Sequence, residues 1–458
     1  MKKNILSHPI PISRLLEKLA PPFLLKTFTY VKLLIMNTLL NCSLWGDEAF
    51  SAIAAQKPFL SMMNVVIKDT SPPLFYIISF IWFKIFGSSE IAIRSLSFLF
   101  YLGTALVVYL IAKELFRSIF GAVLAAILTF FNPFLFPYAF EGRMYFCLLF
   151  FVVLSFYFLV KKNEKAYIFS AAAALYSHHF AVFAIAAQFV WRLTAIKKIN
   201  KKYIWKIIKP YFWLALLYLP WIYPLYLQTS LVSSGFWLGK PKLKHLLGTF
   251  SNFAKIPLLA GVILLIRKWQ QKNRAKDWLL VLWLILPPLI TFFISQSKLS
   301  IFYERYLLYC VPALMLLFTS QVRKLSYLLI SIILTTYILT SWHTFAHPFK
   351  KPFRQFAGWV KSNVSENTFI VNYNGKAHHL WETKYYGIKA PIYSPGGPLP
   401  FYVGTAQMTA SDVVFKLPAN KPIGLVSSDD PQSIKIEGYQ IKKFHQLNSL
   451  YFIWLEKQ

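Results

Sequence analysis

Residues 95–160 read SLSFLFYLGTALVVYLIAKELFRSIFGAVLAAILTFFNPFLFPYAFEGRMYFCLLFFVVLSFYFLV. The stretch holds three apolar runs, 95–112, 118–140 and 144–160, separated by two short charged links, 113–117 and 141–143. A helix needs about 20 apolar residues to cross about 30 Å of hydrocarbon. The pattern therefore predicts successive membrane-spanning helices. Similar runs recur from about residue 20 to residue 345 and then stop.

The composition of the 458-residue chain supports a membrane protein. It is 57% hydrophobic and 14% charged, whereas soluble domains carry about 25% charged residues. This deficit excludes a soluble globular enzyme, a disordered protein and a collagen-like fibre. The net charge of +32 is compatible with nucleic-acid binding, but the positions of the basic residues favour a role in membrane topology. Cys42, Cys147 and Cys310 lie in or beside apolar segments and form no disulfide framework or zinc spacing.

Eleven candidate spans set the predicted topology. They are 22–44, 95–112, 118–140, 144–160, 166–177, 180–191, 210–227, 256–266, 278–295, 306–320 and 326–345. The N-terminus and every second loop hold 23 Lys and Arg against four acids, and the other loops hold 11 basic and six acidic residues in a greater total length. The basic set is predicted to be cytoplasmic by the positive-inside rule. The N-terminus lacks the features of a cleaved signal peptide.

Two stretches of the sequence are compatible with more than one arrangement of helices. Residues 166–191 could form one long helix or two short ones, and only two passes keep the basic stretch 192–209 inside. We therefore predict two short helices with His178 and His179 at the turn. Span 22–44 is interrupted by Lys26 and Lys32, and an interfacial helix is the alternative there.

The tail, residues 346–458, is predicted to be an extracytoplasmic α/β domain. Helical patches are expected at 353–363 and 376–386, strands at Thr368–Tyr373, Asp412–Leu417 and Leu450–Leu455, and a loop at Pro391–Pro400. We find no internal repeat. The predicted division is therefore a membrane domain, 1–345, and an outer domain, 346–458.

The first outer loop, residues 45–94, carries the most informative chemistry. Asp47 and Glu48 follow a span directly, and a carboxylate at a desolvating boundary can be tuned as a general base. Acids are also favoured at a helix N-terminus, so capping and catalysis are equal alternatives for this pair. Asp69 precedes Ser-Pro-Pro, where a turn-starting role competes with a functional one.

The other outer loops supply cations and histidines. Arg143, Lys298 and Arg305 are predicted to face the same side as Asp47, where they could bind phosphate or anchor headgroups. His178 and His179 could bind a metal, but packed or hydrogen-bonded roles fit adjacent histidines better. The chain lacks HExxH, CxxC, GxSxG and Walker-type motifs.

These residues occur in an order that resembles a known family. The matching pieces are Trp45-Gly-Asp-Glu-Ala-Phe-Ser51, Asp69-x-x-Pro-Pro-Leu-x-Tyr76, Phe86-Gly-x-Ser-Glu-x-Ala-x-Arg94, Glu141-x-Arg-Met-Tyr145, Tyr176-Ser-His-His-Phe180 and Arg305-Tyr306. The set resembles the polyprenyl-phosphate-sugar-dependent glycosyltransferases of the C-type membrane fold, which include protein O-mannosyltransferases and lipid A aminoarabinose transferases. The second position of the Asp69 motif is often His in relatives, so the role of Asp69 is open.

The resemblance implies roles for individual residues. Asp47 would be the general base, and Glu48 would position the acceptor or keep Asp47 ionised. The donor phosphate would be bound by Arg143 and Arg305, with Lys298 as a further candidate. The remaining cavity or acceptor residues would be Asp69, Glu141, His178 and Tyr306. No cofactor is assigned, and dependence on a divalent metal is left open.

The resemblance thus predicts a plasma-membrane glycosyltransferase in an all-α bundle of about 11 spans. It would transfer a sugar from a polyprenyl-phosphate donor to a glycan, lipid or protein acceptor on the extracytoplasmic face, with inversion and without nucleic acid. A multispan transporter and a noncatalytic scaffold were the alternatives. A transporter predicts ionisable residues at mid-membrane, whereas most of these residues cluster at one face. Eleven spans exceed what an anchor needs.

Overall fold

The structure is a computed structural model. It describes residues 38–194, 201–233, 235, 237–255, 274–297, 299–320, 327–375 and 378–458. Helices dominate the described chain as far as Ala346, and a small mixed sheet follows. The predicted spans 22–44 and 256–266 lie largely or wholly outside the described residues, as does Lys298.

The helices of the membrane domain follow the apolar runs. They are α1 (Gly46–Ala55), α2 (Phe59–Lys68), α3 (Leu74–Phe86), α4 (Glu90–Phe116), α5 (Ile119–Phe130), α6 (Phe136–Ala139), α7 (Tyr145–Val160), α8 (Glu164–Ser177), α9 (Ala181–Thr194), α10 (Lys201–Tyr218), α11 (Ile222–Ser233), α12 (Leu243–Ala254), α13 (Arg274–Ile294), α14 (Val311–Thr319) and α15 (Tyr327–Ala346). Short 3₁₀ segments, Leu219–Trp221 and Glu304–Cys310, precede α11 and α14.

Three described helical segments are long and apolar enough to cross a membrane. They are Glu90–Phe116, Asp277–Ile294 and Tyr327–Ala346, and several shorter apolar helices accompany them. The short helices arise partly because proline and asparagine interrupt predicted spans. Span 118–140 breaks after α5, where Asn132 Oδ1 accepts the backbone N–H groups of Phe134 and Leu135 at 3.0 and 3.1 Å. The count of eleven crossings stays a prediction.

The ambiguous stretch 166–191 forms two helices, as the charge distribution predicted. Helix α8 ends at Ser177 and α9 begins at Ala181, so His178 and His179 occupy the connection. His179 is held there by Gln228, whose Oε1 lies 2.8 Å from the ring Nε2. The histidines of this turn are therefore hydrogen-bonded inside the bundle.

Aromatic residues fill the centre of the bundle. The rings of Phe156 and Trp283 stack with centroids 3.8 Å apart, and the Trp283 indole N–H donates to the Tyr309 carbonyl at 2.8 Å. Both aromatic side chains are buried. Such contacts lock helices α7, α13 and the segment before α14 together, because a buried indole needs a partner for its N–H.

The C-terminal domain is a six-stranded mixed sheet with helices beside it. The elements are α16 (Phe353–Asn363), β1 (Phe369–Tyr373), α17 (Leu380–Tyr385), β2 (Ile392–Tyr393), β3 (Val413–Val414), β4 (Ile423–Ser427), β5 (Tyr439–Leu447) and β6 (Leu450–Lys457). The strand order is β3-β2-β1-β4-β6-β5. Strands β1 to β4 pair in parallel, and β6 pairs antiparallel with β4 and β5. The predicted α/β character is confirmed.

Both faces of the central strands are covered. Phe452 packs with Phe353 and Phe356 of α16 on one face, whereas its neighbour Ile453 packs with Leu425 on the other. Successive side chains of a strand point to opposite faces. The apolar residues of β6 therefore alternate between two cores, one on each face of the sheet. This burial explains why β6 reads as a continuous apolar run.

Polar contacts fasten this domain to the membrane domain. Arg354 of α16 lies 2.6 Å from the Glu90 carboxylate at the start of α4, and the Tyr386 hydroxyl donates to the same carboxylate at 2.8 Å. Tyr386 also accepts the backbone N–H of Leu44 at 2.8 Å. The domain is thereby held against the beginning of the first outer loop.

We expect Phe452→Ala to loosen the sheet. Removing a fully buried ring leaves a cavity that costs about 3–5 kcal/mol. Hydrogen exchange of the β4 amides should report a fall of that size in the free energy of opening. The matched control is Phe444→Ala on the neighbouring edge strand, whose ring is 53% exposed and should change stability by no more than about 0.5 kcal/mol. Equal effects of the two variants would contradict the assignment of Phe452 to the core.

Candidate active site

Asp47 and Glu48 occupy the first turn of α1 but point to different environments. The Glu48 carboxylate accepts the backbone N–H of Trp45 at 3.3 Å, which is a helix cap. Asp47 makes no such contact, and its side chain is 46% exposed. Adjacent residues of a helix are rotated by about 100°, so one acid is buried and the other faces open space.

Glu48 is fully buried in a network of charges. Arg94 of α4 donates to both of its oxygens, at 2.7 and 2.9 Å, and the Lys350 Nζ lies 2.9 Å from Oε2. The backbone N–H of Gly142 donates to Oε1 at 2.8 Å. Burial by itself would raise the pKa of Glu48, but the charges of Arg94 and Lys350 lower it to about 2. Glu48 is therefore ionised and joins four separate chain segments.

Gly142 lets the link between α6 and α7 approach this network. A Cβ placed on Gly142 would lie 2.6 Å from the Ile93 side chain, which is closer than side chains pack. The absence of a side chain permits the N–H contact with Glu48. It also places the flanking residues, Glu141 and Arg143, beside α1.

A cavity of about 690 Å³ opens beside Asp47. Its wall includes residues of the membrane domain and of the C-terminal domain. The lining residues that bear on its chemistry are Trp45, Gly46, Asp47, Asp69, Glu141, Arg143, Trp237, Tyr303, Arg305, Tyr306, Phe349, Lys350, Lys351, His378, His379, Trp381, Glu382 and Tyr402.

Asp47 lies between two arginines. Its Oδ2 is 4.0 Å from an Arg143 Nη and 3.9 Å from an Arg305 Nη. These separations exceed hydrogen-bond length, so neither arginine occupies the carboxylate. Arg143 is instead held by Ser51, whose Oγ accepts from Nη1 at 2.7 Å. A carboxylate and two guanidinium groups thus share one cavity wall.

Arg305 is enclosed by aromatic rings. Its guanidinium carbon lies 5.3, 5.8, 5.5 and 5.2 Å from the ring centroids of Trp45, Tyr138, Tyr145 and Tyr303. The hydroxyls of Tyr145 and Tyr303 accept from its two Nη atoms at 3.3 and 3.1 Å. Cation–π contacts stabilise a desolvated guanidinium without neutralising its charge.

Each of the two arginines keeps an unused donor. The Nε atoms of Arg143 and Arg305 are buried and have no hydrogen-bond partner in the described part of the chain. A buried unpaired donor is costly. Such donors need a partner, which water or a bound anion can supply, and guanidinium groups fit phosphate oxygens well.

Two further acids line the same cavity. Burial is the main cause that raises the pKa of the Asp69 carboxyl and of the Glu141 carboxyl. The Tyr76 hydroxyl donates to Asp69 Oδ2 at 3.5 Å. Glu141 Oε2 has no hydrogen-bond partner among the described residues. Both acids therefore lie in the cavity wall, where the sequence predicted them. Asp69 is held there by Tyr76 of α3.

Of the other predicted site residues in the described part of the chain, Tyr306 lines the cavity, and Glu48 and His178 lie behind its lining. The His178 ring lies behind Tyr306, with centroids 5.0 Å apart, and its Nδ1 accepts the Phe180 N–H at 3.1 Å. Lys298 lies outside the described residues.

The C-terminal domain contributes site residues that sequence reasoning missed. Lys350, Lys351, His379, Trp381 and Glu382 reach the cavity from a region about 300 residues after Asp47. The His-His-x-Trp-Glu run in the helical patch 376–386 was the available signal. Within the described ranges, no group of three or more His, Cys, Asp or Glu residues could hold a metal ion.

The chain is similar to known proteins in part of its sequence and in its fold. Residues 69–227 match the family described as dolichyl-phosphate-mannose-protein mannosyltransferase. No curated protein sequence is significantly similar to the chain.

Solved structures with the same fold include two of ArnT from Cupriavidus metallidurans. The apo structure aligns with a TM-score of 0.64 and 12% identity over 94% of this chain and 97% of that chain. The structure bound to undecaprenyl phosphate aligns with a TM-score of 0.60 and 12% identity over 95% and 98%.

The chain therefore shares the fold of ArnT. The resemblance predicted from the sequence is confirmed by the family match and by the ArnT-like fold.

Replacing Glu48 should destabilise the protein strongly. Glu48→Gln leaves the charges of Arg94 and Lys350 without their buried partner, and breaking such a network costs about 3–5 kcal/mol. Thermal unfolding in detergent measures the loss. The control is Glu114→Gln, which removes an exposed ion pair with Lys161 and should cost less than about 1 kcal/mol.

The same variant should change the response to acid. Because the pKa of Glu48 is depressed from its ordinary value of 4.5 to about 2, its stabilisation is complete above about pH 4.5 and is lost as the pH falls toward 2. Glu48→Gln should lack this component of the pH dependence. An unchanged acid profile would contradict the assigned network.

Proposed function

We propose that the protein is an integral membrane glycosyltransferase that moves a sugar from a polyprenyl-phosphate donor to an envelope acceptor. The observation that carries the proposal is the Asp47 carboxylate between Arg143 and Arg305 on the wall of one cavity. This arrangement offers a base and a positive clamp in the same space. The family match and the ArnT-like fold support this reaction class.

Asp47 is proposed to act as the general base. It removes the proton from an acceptor hydroxyl or amine while that oxygen or nitrogen forms a bond to the anomeric carbon. The bond from the anomeric carbon to the phosphate oxygen breaks, and polyprenyl phosphate leaves with the electron pair. A single displacement of this kind inverts the anomeric configuration. The carboxylate is available because neither arginine lies within hydrogen-bond distance of Asp47 Oδ2.

Arg143 and Arg305 are proposed to bind the donor phosphate. Their unused Nε donors and fixed positions allow them to stabilise charge that builds on the departing oxygen. A phosphate leaving group that meets two cations needs no protonation, so the reaction requires no separate general acid. The binding of undecaprenyl phosphate by the structurally similar ArnT supports a polyprenyl-phosphate donor here. Lys298 stays a further candidate for this clamp.

Glu48 is proposed to position the site. Its carboxylate is used by Arg94, Lys350 and the Gly142 N–H, so it has little capacity left for a substrate. Asp69, Glu141 and Tyr306 are proposed cavity residues, and His178 supports Tyr306 from behind. No step of the proposed mechanism is assigned to a metal ion.

The charge distribution of the loops supports the proposed orientation. The loops that carry the cavity residues are the poorly basic set, so the cavity and the C-terminal domain are proposed to face the extracytoplasmic side of the plasma membrane. The proposed domains are 1–345, with the catalytic loop 45–94, and 346–458.

Asp47→Asn should abolish most turnover while the fold is retained. The amide is nearly isosteric with the carboxylate but cannot accept the proton, and general-base catalysis contributes about 10²–10⁴-fold. Release of undecaprenyl phosphate from a panel of undecaprenyl-phosphate sugars, incubated with an envelope extract, measures turnover. The control is Asp430→Asn, an exposed position whose side chain caps a short turn that Asn also caps well. Wild-type turnover of Asp47→Asn would exclude Asp47 as the base.

Arg305→Lys should weaken binding of undecaprenyl phosphate by about tenfold. Lysine keeps the charge but loses the planar guanidinium and its fork of donors. Titration of purified protein in nanodiscs measures the dissociation constant. Arg192→Lys is a matched control, because Arg192 is also paired with an acid and held over tyrosine rings but does not line the cavity. Equal affinities in the two variants would remove Arg305 from the phosphate site.

A further inference from the structure

A second carboxylate lies in the cavity and comes from the C-terminal domain. Glu382, in the first turn of α17, is 6% exposed and lines the cavity. Its Oε1 lies 3.4 Å from His379 Nδ1. Its Oε2 is buried and has no hydrogen-bond partner in the described ranges. A buried carboxylate oxygen without a donor needs a partner, which water or a bound ligand can supply.

Glu382 lies beside the residue that precedes Asp47. A Cβ placed on Gly46 would be 3.6 Å from both oxygens of the Glu382 carboxylate. The carboxylate therefore lies against the start of α1. The two carboxylates therefore serve neighbouring parts of the same cavity, although they are 335 positions apart (382 − 47) in the chain.

The elements around Glu382 hold it in place. His379 Nε2 lies 2.9 Å from Ser428 Oγ, and the Trp381 indole N–H donates to the Val403 carbonyl at 3.1 Å. The Trp381 ring meets Phe50 of α1 edge to face, with centroids 5.2 Å apart. A group fixed in this way is suited to orient a bound molecule.

This end of the cavity carries no excess of positive charge. Lys350 is paired with Glu48 at 2.9 Å, and the charges of both Glu382 and Asp429 act on Lys351. Burial lowers the pKa of His378 to about 4, so this side chain is neutral at pH 7. The phosphate-attracting charge is therefore concentrated at Arg143 and Arg305, and the Glu382 end favours a neutral hydrogen-bond donor.

Aromatic side chains border the cavity. Trp237, Phe349 and Tyr402 line it and remain 50%, 69% and 45% exposed. The apolar C–H face of a sugar ring packs on such surfaces, while its hydroxyls need polar acceptors such as a carboxylate. Exposed aromatic rings in the same cavity as an unsatisfied carboxylate oxygen fit a glycan better than a phosphate or a bare lipid chain.

We propose that the C-terminal domain forms the acceptor subsite, in which Glu382 Oε2 accepts a hydrogen bond from a hydroxyl of a neutral glycan. The subsite rests on the proposed function for its place in the reaction, since the glycan would present a second hydroxyl to Asp47. Glu382 is an acceptor-binding residue in this scheme and takes no proton from the nucleophile.

Equilibrium binding tests the subsite without turnover. Full-length protein in nanodiscs is titrated with a neutral trisaccharide that carries a short alkyl chain. Glu382→Met keeps the length of the side chain and removes the acceptor oxygen, so the dissociation constant should rise about tenfold, as expected for loss of a hydrogen bond to a charged group. Glu382→Gln should give a smaller rise. Glu366→Gln, an exposed glutamate of the same domain, is the matched control and should bind like the wild type.

The outcomes separate the subsite from the proposed function. Undecaprenyl phosphate should bind equally to all four proteins. Failure of the wild type to bind the trisaccharide, or equal affinity in Glu382→Met, overturns the subsite. Tighter binding of a phosphorylated trisaccharide or of a serine-containing peptide overturns its neutral glycan class. The glycosyltransferase proposal is judged independently, by Asp47-dependent release of undecaprenyl phosphate.

Discussion

The buried charge of Glu48 is the interaction on which the site geometry depends. An unpaired carboxylate could not remain ionised at a position without solvent contact. Arg94, Lys350 and the Gly142 N–H together supply the partners that it needs. These partners come from α4, from the start of the C-terminal domain and from the link before α7. The same network that satisfies one carboxylate therefore fixes the angle of α1 and, with it, the position of Asp47.

Adjacent acids in one helical turn thus have opposite roles. Glu48 points into the protein, where its charge is used to join segments, and Asp47 points into the cavity, where its oxygens are left available. From the sequence, capping and catalysis were equally plausible for the pair, because the face that α1 buries depends on elements distant in the chain. The geometry assigns the cap to Glu48 and leaves Asp47 exposed in the cavity, where it is the proposed base.

Much of the fold and part of the site could be predicted. Apolar runs located the helices, and the basic stretch 192–209 correctly favoured two helices around His178 and His179. Spans broken at Asn132 and Leu219–Trp221 were predicted as continuous, since hydropathy does not register local backbone breaks. Strand β4 was missed because its short apolar run contains Gly424, and glycine is depleted in strands. Asp47, Arg143 and Arg305 were found from the charges of the predicted outer loops and then matched family motifs, whereas Glu382 belongs to no family motif and reaches the cavity only through the docking of α17 on α1.

The division of the cavity between two parts of the chain has a consequence for specificity. The membrane domain holds Asp47 and the two arginines, which are the proposed base and the proposed phosphate clamp. The C-terminal domain holds Glu382 and bordering aromatic residues, which contact the other end of the cavity. Since the two ends meet at Gly46, a change in the C-terminal domain can alter what lies beside Asp47 without moving the phosphate clamp. Under the proposed function, recognition of the acceptor is therefore separable from donor chemistry, as long as the contacts of Glu48 and Glu90 keep the domain in place.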